Sequence, residues 1–413
     1  MLLVDVLRAV ALFGIIINHI TTGYLAGPPP AGNENYHVIS GIDGVFNAGS
    51  FLLTFGKFFT IFSFLFGLSF AIQMDSAAKN GRAFASTFVW RVVILFIIGY
   101  IHNLFYSGDI LVIYAVLSLL LLPLRKLSYK VIVPVALLLI LNVPGLVMDI
   151  INVSTPVSPA DIAAQKQFGE TFAKISQEQF RIKSEGSVAE VVTMNAVDGM
   201  FGKFFFQIIS GRLWITFGLF LLGMYAGRKK IFVYTDRNKR FFRGLFVWSG
   251  VVAIVSTIIA MMYANPLAKA TTVQQVLGNF SYSIHQATLS AFYVSGVALL
   301  YWKVRSGSIP SLFAAAGQMG LTTYLVQSVF GVMLYYGFGL GLMGRIGAAS
   351  SIGIGIAFFM LQLVFSKWWM SQFRYGPVEW LWRSITYFKW QPMSKERRVI
   401  TVQPPSMIEP VSA

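Results

Sequence analysis

Residues 4–24 read VDVLRAVALFGIIINHITTGY, an apolar run interrupted by one Asp, one Arg, one Asn and one His. A helix needs about 20 mainly apolar residues to cross the hydrocarbon core of a bilayer, and this stretch supplies them. It lacks a small-residue cleavage site and carries Arg8 within it, so it reads as a retained span and not as a removed signal peptide. Nine further stretches meet the same criterion: Phe51–Gln73, Phe88–Phe105, Ile110–Leu122, Val131–Ile150, Phe204–Ala226, Gly244–Tyr263, Ile284–Trp302, Leu312–Tyr336 and Ser351–Met370. The stretch Ile110–Leu122 is short and leans on its predecessor through Ser107-Gly108. The expected fold is an all-α polytopic integral membrane protein of about ten transmembrane helices.

Composition agrees with that reading. Of 413 residues, 56% are hydrophobic, 15% aromatic and only 12% charged, and the mean hydropathy is +0.68. Soluble domains carry about 25% charged residues, so an ordinary cytosolic enzyme is excluded, as are a disordered chain and a collagen-like fibre. With no cysteine there is neither a disulfide framework nor a thiolate metal site.

The net charge of +16 would suggest a nucleic-acid partner in a soluble protein; here it records orientation, and no nucleic acid is expected. If the loops alternate across ten spans, 23 of the 32 Lys and Arg residues fall on one side and nine on the other. The positive-inside rule then places both termini in the cytoplasm. The chain divides into an N-terminal membrane bundle of about five helices (1–150), an extracytoplasmic amphipathic loop (151–203), a C-terminal bundle of about five helices with an interfacial segment (204–390) and a cytoplasmic tail (391–413). Within the loop, Asp161–Lys183 reads as an outer helix. No internal repeat is visible.

Ionisable residues inside spans are costly and point to function by default. Arg8 and His19 are eleven residues apart, so they share one helix face and lie about 16 Å apart along the axis. Asp5, one turn before Arg8, can pair with it. This layout suits an anionic cofactor arriving from the cytoplasm and a base or nucleophile deeper in. The plain alternative is a snorkelling Arg8 and a His19 that hydrogen-bonds between helices. Lys57, His102, Asp109 and Arg212 fall at a depth similar to that of His19, which would make an outward-facing polar chamber. Asp109 can orient a histidine for acid–base work or lock helix ends by pairing with Lys57. Four His without HExxH or tight spacing do not suggest a metal site, and none is expected. The stripe Gln318, Thr322, Thr323, Tyr324, Gln327 and Ser328 reads first as hydrogen-bond glue between helices and second as substrate contact. Arg374 and Arg383 suit either a phosphate or lipid headgroups.

Four segments carry a resemblance: GKFFTIFSFLFGLSFAIQM from Gly56, IGYIHNLFYSGDILVIYA from Ile98, GQMGLTTYLVQS from Gly317 and RYGPVEWLWRSITY from Arg374. Together they resemble the YeiB-like bacterial membrane proteins, a family labelled as a domain of unknown function, over nearly the whole chain. Arg8 followed by ten residues and His19 resembles the Arg-x10-His signature of type-3 membrane acyltransferases. The YeiB-like family is similar to that superfamily and to lysosomal heparan-α-glucosaminide N-acetyltransferase, although its own pattern allows Asn at the position of His19.

The resemblance implies a bacterial inner-membrane protein moving an acyl group from cytosolic acyl-CoA, such as acetyl-CoA, to an extracytoplasmic sugar or lipid. Under that reading His19, His102 and Asp109 carry the chemistry, and Arg8, Arg91, Arg374 and Arg383 hold the CoA phosphates. Lys57, Arg212, Gln318, Tyr324 and Gln327 would meet the acceptor. A transporter of a small polar or anionic substrate and a non-catalytic lipid-binding protein remain open, the first disfavoured by the lack of visible repeats or paired broken helices. Partners expected are membrane lipids and acyl-CoA; small-residue faces allow a homodimer without requiring one.

Overall fold

The computed structural model describes residues 2–27, 29–30, 39–81, 83–156, 158–264, 270–304 and 307–395. Arg82, Lys269, Arg305, Arg397 and Arg398 of the charge count, and the tail beyond Lys395, lie outside the described residues.

Among the described residues there are only helices and one isolated bridge between Phe373 and Ser394. α1 (Leu2–Thr21) is followed by α2 (Gly41–Leu53), which starts on a capping box of Ser40 and Asp43, and by α3 (Phe58–Lys79) and α4 (Phe84–Phe105). The short α5 (Leu111–Leu119) and α6 (Leu121–Leu124) lead to α7 (Tyr129–Ile140) and α8 (Val143–Ser154). The predicted outer helix is α9 (Pro159–Glu185), begun by Ser158, Pro159 and Asp161 acting as a capping box with Pro in the first turn. Then come α10 (Val188–Ala196), α11 (Asp198–Ile209), α12 (Arg212–Arg228), α13 (Asp236–Tyr263), α14 (Val273–Val304), α15 (Ser308–Gln318), α16 (Gly320–Tyr335), α17 (Ala348–Gln372) and the interfacial α18 (Pro377–Thr386).

Six stretches are long and apolar enough to cross a membrane, with α2 and α3 counted as one. Two bent pairs, α7 with α8 at 48° and α11 with α12 at 74°, bring the number to eight. The other two of the ten expected segments are interrupted helices, α5–α6 and α15–α16. Nine residues of α5 cover only about 14 Å at 1.5 Å each, which explains why it fails the length test. One side of α13 leaves Val247, Trp248, Ile254, Ile258 and Met261 exposed. An apolar stripe of that size belongs in contact with lipid.

The N- and C-terminal halves share one core. Residues from Leu3 to Leu363 belong to a single buried apolar cluster, in which α1 packs on α15 and α17, and α3 packs on α12. α3 and α12 run parallel with backbones in close approach: a Cβ on Gly67 would lie 2.0 Å from the Phe220 carbonyl oxygen. Both begin at a break made by a left-handed glycine, Gly56 (φ +79°) and Gly211 (φ +68°), a conformation that disfavours any residue with a Cβ.

The start of α1 and α18 lie on one face, here termed the terminal face, on either side of the α15–α16 break. There the Trp382 indole donates to the Arg91 carbonyl at 3.0 Å, and Glu379 accepts the Leu321 and Thr322 N–H groups at the start of α16 at 2.7 and 3.0 Å. On the far face, α9, α10 and residues 336–347 pack over the helix ends around a second cluster that includes Ile20, Tyr24, Tyr106, Val191 and Tyr336.

Candidate functional site

The turn between α4 and α5 carries Asp109 into the bundle, where its side chain is fully buried. His102, one turn from the end of α4, reaches it through Nδ1 at 2.7 Å. The Val112 N–H donates to the other carboxylate oxygen at 3.1 Å, and Lys203 Nζ of α11 approaches that oxygen at 3.5 Å. A carboxylate so held fixes the ring orientation of His102 and directs its Nε2 away, buried and without a hydrogen-bond partner among the described residues. The expected lock between Lys57 and Asp109 is not formed. The bend between α11 and α12 brings Lys203 to Asp109 instead, while Lys57 Nζ turns to the Phe51 carbonyl at 3.4 Å.

His19 stands next to this triad. Its ring centroid is 5.3 Å from that of Tyr106 and 5.5 Å from that of Tyr24, and Tyr106 in turn is 5.9 Å from His102. Tyr324 of α16 closes the group at 5.2 Å from His102. Tyr24 is buried at a positive φ of 58°, held by its hydroxyl on the Gln327 carbonyl at 2.8 Å. A non-glycine residue kept in that region stores strain of order 1–3 kcal/mol, which persists only where its surroundings over-determine it. His19 itself is half-buried, lies within electrostatic reach of His102 and Arg212, and donates no hydrogen bond to another side chain among the described residues.

Arg212 and Lys57 form a second group. The Arg212 guanidinium sits 4.8–4.9 Å from the ring centroids of Phe55, Phe59 and Phe206, and Lys57 is within electrostatic reach of it. Residue counting puts all of these at similar depth; the structure divides them into an acidic–basic triad with His19 beside it and a purely cationic pair.

On the terminal face, Arg8 is bound to Asp5 at 2.7 Å, the pairing expected, and to Ser69 of α3 at 2.7 Å. Arg8 is thus accounted for without a ligand. Arg91 stacks on Trp382 at 4.4 Å, and Arg383 lies 5.2 Å from both Tyr375 and Tyr387 with its Nε buried and unpartnered among the described residues. Arg383, Tyr387, Lys389 and Thr87 line a cleft of about 450 Å³. Arg374 binds through its backbone N–H to the Met393 carbonyl. Gln318 is exposed at the α15–α16 break, away from the His19 layer, so its expected place among acceptor contacts is not supported. Gln327 bonds Gln362 of α17 at 2.9 Å, the helix–helix glue that such stripes suggest first. Among the described residues no three of His, Asp and Glu gather as a metal site.

Sequence reasoning missed Lys203, counted only as a far-side charge, and Tyr24 and Tyr106. One available signal went unused: Arg91 and His102 on α4 repeat the spacing of Arg8 and His19 on α1. It also missed Lys183 of α9, fully buried with one bond to Ser107 at 3.1 Å. Burial pushes its ammonium down to about 8 from 10.5. The unfolded chain therefore binds more protons between these values, and stability rises with pH across that window. Lys183→Met should stabilise the protein by up to about 3 kcal/mol at pH 7, a gain that fades toward pH 10.5. Unfolding in detergent at several pH values checks this; a variant less stable than wild type at pH 7 would show that Lys183 has a compensating partner.

Residues 226–389 match the family model described as "Protein of unknown function (DUF418)". The chain is 29% identical to "Uncharacterized protein YxaH" of Bacillus subtilis (strain 168), with 96% of each chain covered. It is 26% identical to "Uncharacterized 39.9 kDa protein in amylase 3'region" of Bacillus acidopullulyticus, covering 93% of this chain and 92% of that one. Identity is also 26% to "Uncharacterized protein YeiB" of Escherichia coli (strain K12), over 92% of this chain and 95% of the relative.

Proposed function

The chain belongs to the YeiB-like family of bacterial membrane proteins, described as of unknown function, and on that premise we propose that it moves an acyl group from acyl-CoA at the terminal face to an acceptor at the far face. The observation that carries this reading is the placement of His19 and His102 around Tyr106. Each follows an arginine on its own helix by eleven residues, about 16 Å. That span suits a long thioester arm whose phosphates stay at the terminal face.

Arg91, Arg383 and Lys389 would hold the phosphates, since guanidinium matches phosphate in a bidentate manner and the cleft beside Arg383 is of ligand size. The arm would run along α1, α4 and α16 toward His19. His19 Nε2 or Nδ1 takes the proton from the acceptor hydroxyl or amine as its oxygen or nitrogen attacks the thioester carbon. The carbon–sulfur bond breaks, and the departing thiolate takes that proton from the imidazolium. His102, oriented by Asp109, supplies a hydrogen bond in the same layer. The roof formed by α10 and residues 336–347 keeps bulk water from the thioester. Release of CoA by the purified protein given acetyl-CoA and a panel of sugar and lipid acceptors tests the reading; no release with any acyl-CoA removes it.

We place the terminal face in the cytoplasm of the bacterial inner membrane on the charge count of 23 against nine. The chain has no cysteine, so labelling is free of background. A cysteine replacing Ser176 in α9 should react with an impermeant thiol reagent in intact cells, and one replacing Ser394 should not. The reverse pattern would invert the site.

A second reading, substrate transport, gains from the breaks in α2–α3, α7–α8 and α11–α12, because interrupted helices are the usual builders of transport sites. The breaks meet one of the two expectations for a transporter; an internal repeat is the other. Accumulation of substrate in sealed vesicles without CoA release would favour it.

A further inference from the structure

The cationic pair Lys57 and Arg212 marks the starts of α3 and α12. These helices lie side by side and parallel, so the positive ends of both dipoles arrive at one level. Neither start has a side-chain cap: the N-cap positions are Lys57 and Gly211, and neither accepts from the first turn through a side chain. The first N–H groups of each helix are thus left for another acceptor.

Lys57 is 1% exposed, and neither cation has a carboxylate within 4 Å among the described residues. Buried cations are ordinarily paired, because desolvation is otherwise uncompensated. The amide of Gln286 on α14 points at the same break, its Oε1 2.3 Å from where a Cβ of Gly56 would stand, buried and without a partner among the described residues. Amide oxygen and nitrogen are interchangeable by a flip, so this group can present a donor. Gly14 of α1 packs on Phe58, which puts the site about two turns below the far end of α1.

We propose that Lys57, Arg212, Gln286 and the first turns of α3 and α12 form a binding site for a phosphate ester. Two cations, two uncapped helix starts and one amide match the charge and the several acceptor oxygens of such a group. In the acyl-transfer reading, on which this last assignment rests, the phosphate ester belongs to the acceptor, and the acceptor is anionic. The binding itself is measured without turnover.

The test uses full-length protein without acyl-CoA. One arm adds glycerol 3-phosphate to protein in neutral detergent; the other compares nanodiscs of phosphatidylglycerol with nanodiscs of phosphatidylcholine. A rise in melting temperature in the first arm identifies a soluble phosphate ester, and a rise confined to phosphatidylglycerol identifies a lipid phosphate. Arg212→Gln and Lys57→Met should each weaken binding about 10- to 100-fold, as expected for loss of one charge-assisted hydrogen bond. Arg212→Lys should retain part of it. Without ligand, Lys57→Met should melt no lower than wild type, since it removes an uncompensated charge. Binding that is absent in both arms, or undiminished in both charge-removing variants, overturns the site. Loss of CoA release with binding intact would instead refute acyl transfer alone.

Discussion

Substitution of His19 by Asn should reduce acyl turnover by about 10²–10⁴-fold, the contribution of a positioned general base, with detergent stability unchanged. Asn keeps a polar side chain of modest size in the pocket between Tyr24 and Tyr106 and removes only the basic nitrogen. No side-chain hydrogen bond is lost, because the ring donates none among the described residues. A histidine retained for packing would be replaced by Asn at little cost. CoA release by wild type and variant across the same acceptors measures the difference. Equal rates would assign His19 to packing and move the proton transfer to His102, whose unpartnered Nε2 is in the same layer.

Asp109→Asn should destabilise the protein by about 3–5 kcal/mol, the cost of stripping a buried charge pair of one partner. The amide leaves Lys203 without its counter-charge and cannot accept from His102 and Val112 as the carboxylate does. Because Lys203 is the cation left exposed to the low-dielectric interior, Lys203→Met in the same chain should recover a good part of the loss. Lys57→Met should recover none of it through Asp109, its own small effect combining additively. Denaturation in detergent of the three single and two double variants makes the comparison. Strict additivity with Lys203 and coupling with Lys57 would mean that the α11–α12 bend differs from that described.

The fold class was legible because the signal is composition over windows of about 20 residues, which no packing detail can alter. The Asp5–Arg8 pair was legible for a related reason: residues three apart on one helix meet whatever surrounds them. The breaks in the spans were harder to see. Gly56-Lys57 and Gly211-Arg212 repeat a glycine followed by a cation, yet a glycine within an apolar run is equally at home in an uninterrupted transmembrane helix. Only the positive φ of Gly56 and Gly211, seen in the folded chain, distinguishes the two.

The sequence by itself determined that the chain lives in a bilayer, that its polar groups are few, and which of them are ionisable. The tertiary structure decided which of them are partners. Depth along a helix follows from counting residues, which is why His19, Lys57, His102, Asp109 and Arg212 are expected in one layer, but depth says nothing of azimuth. A 74° bend between α11 and α12 delivered Lys203 to Asp109 and left Arg212 among three phenylalanines. Hydrogen-bonded pairing of buried charges requires approach to about 3 Å, and helix packing alone sets those distances.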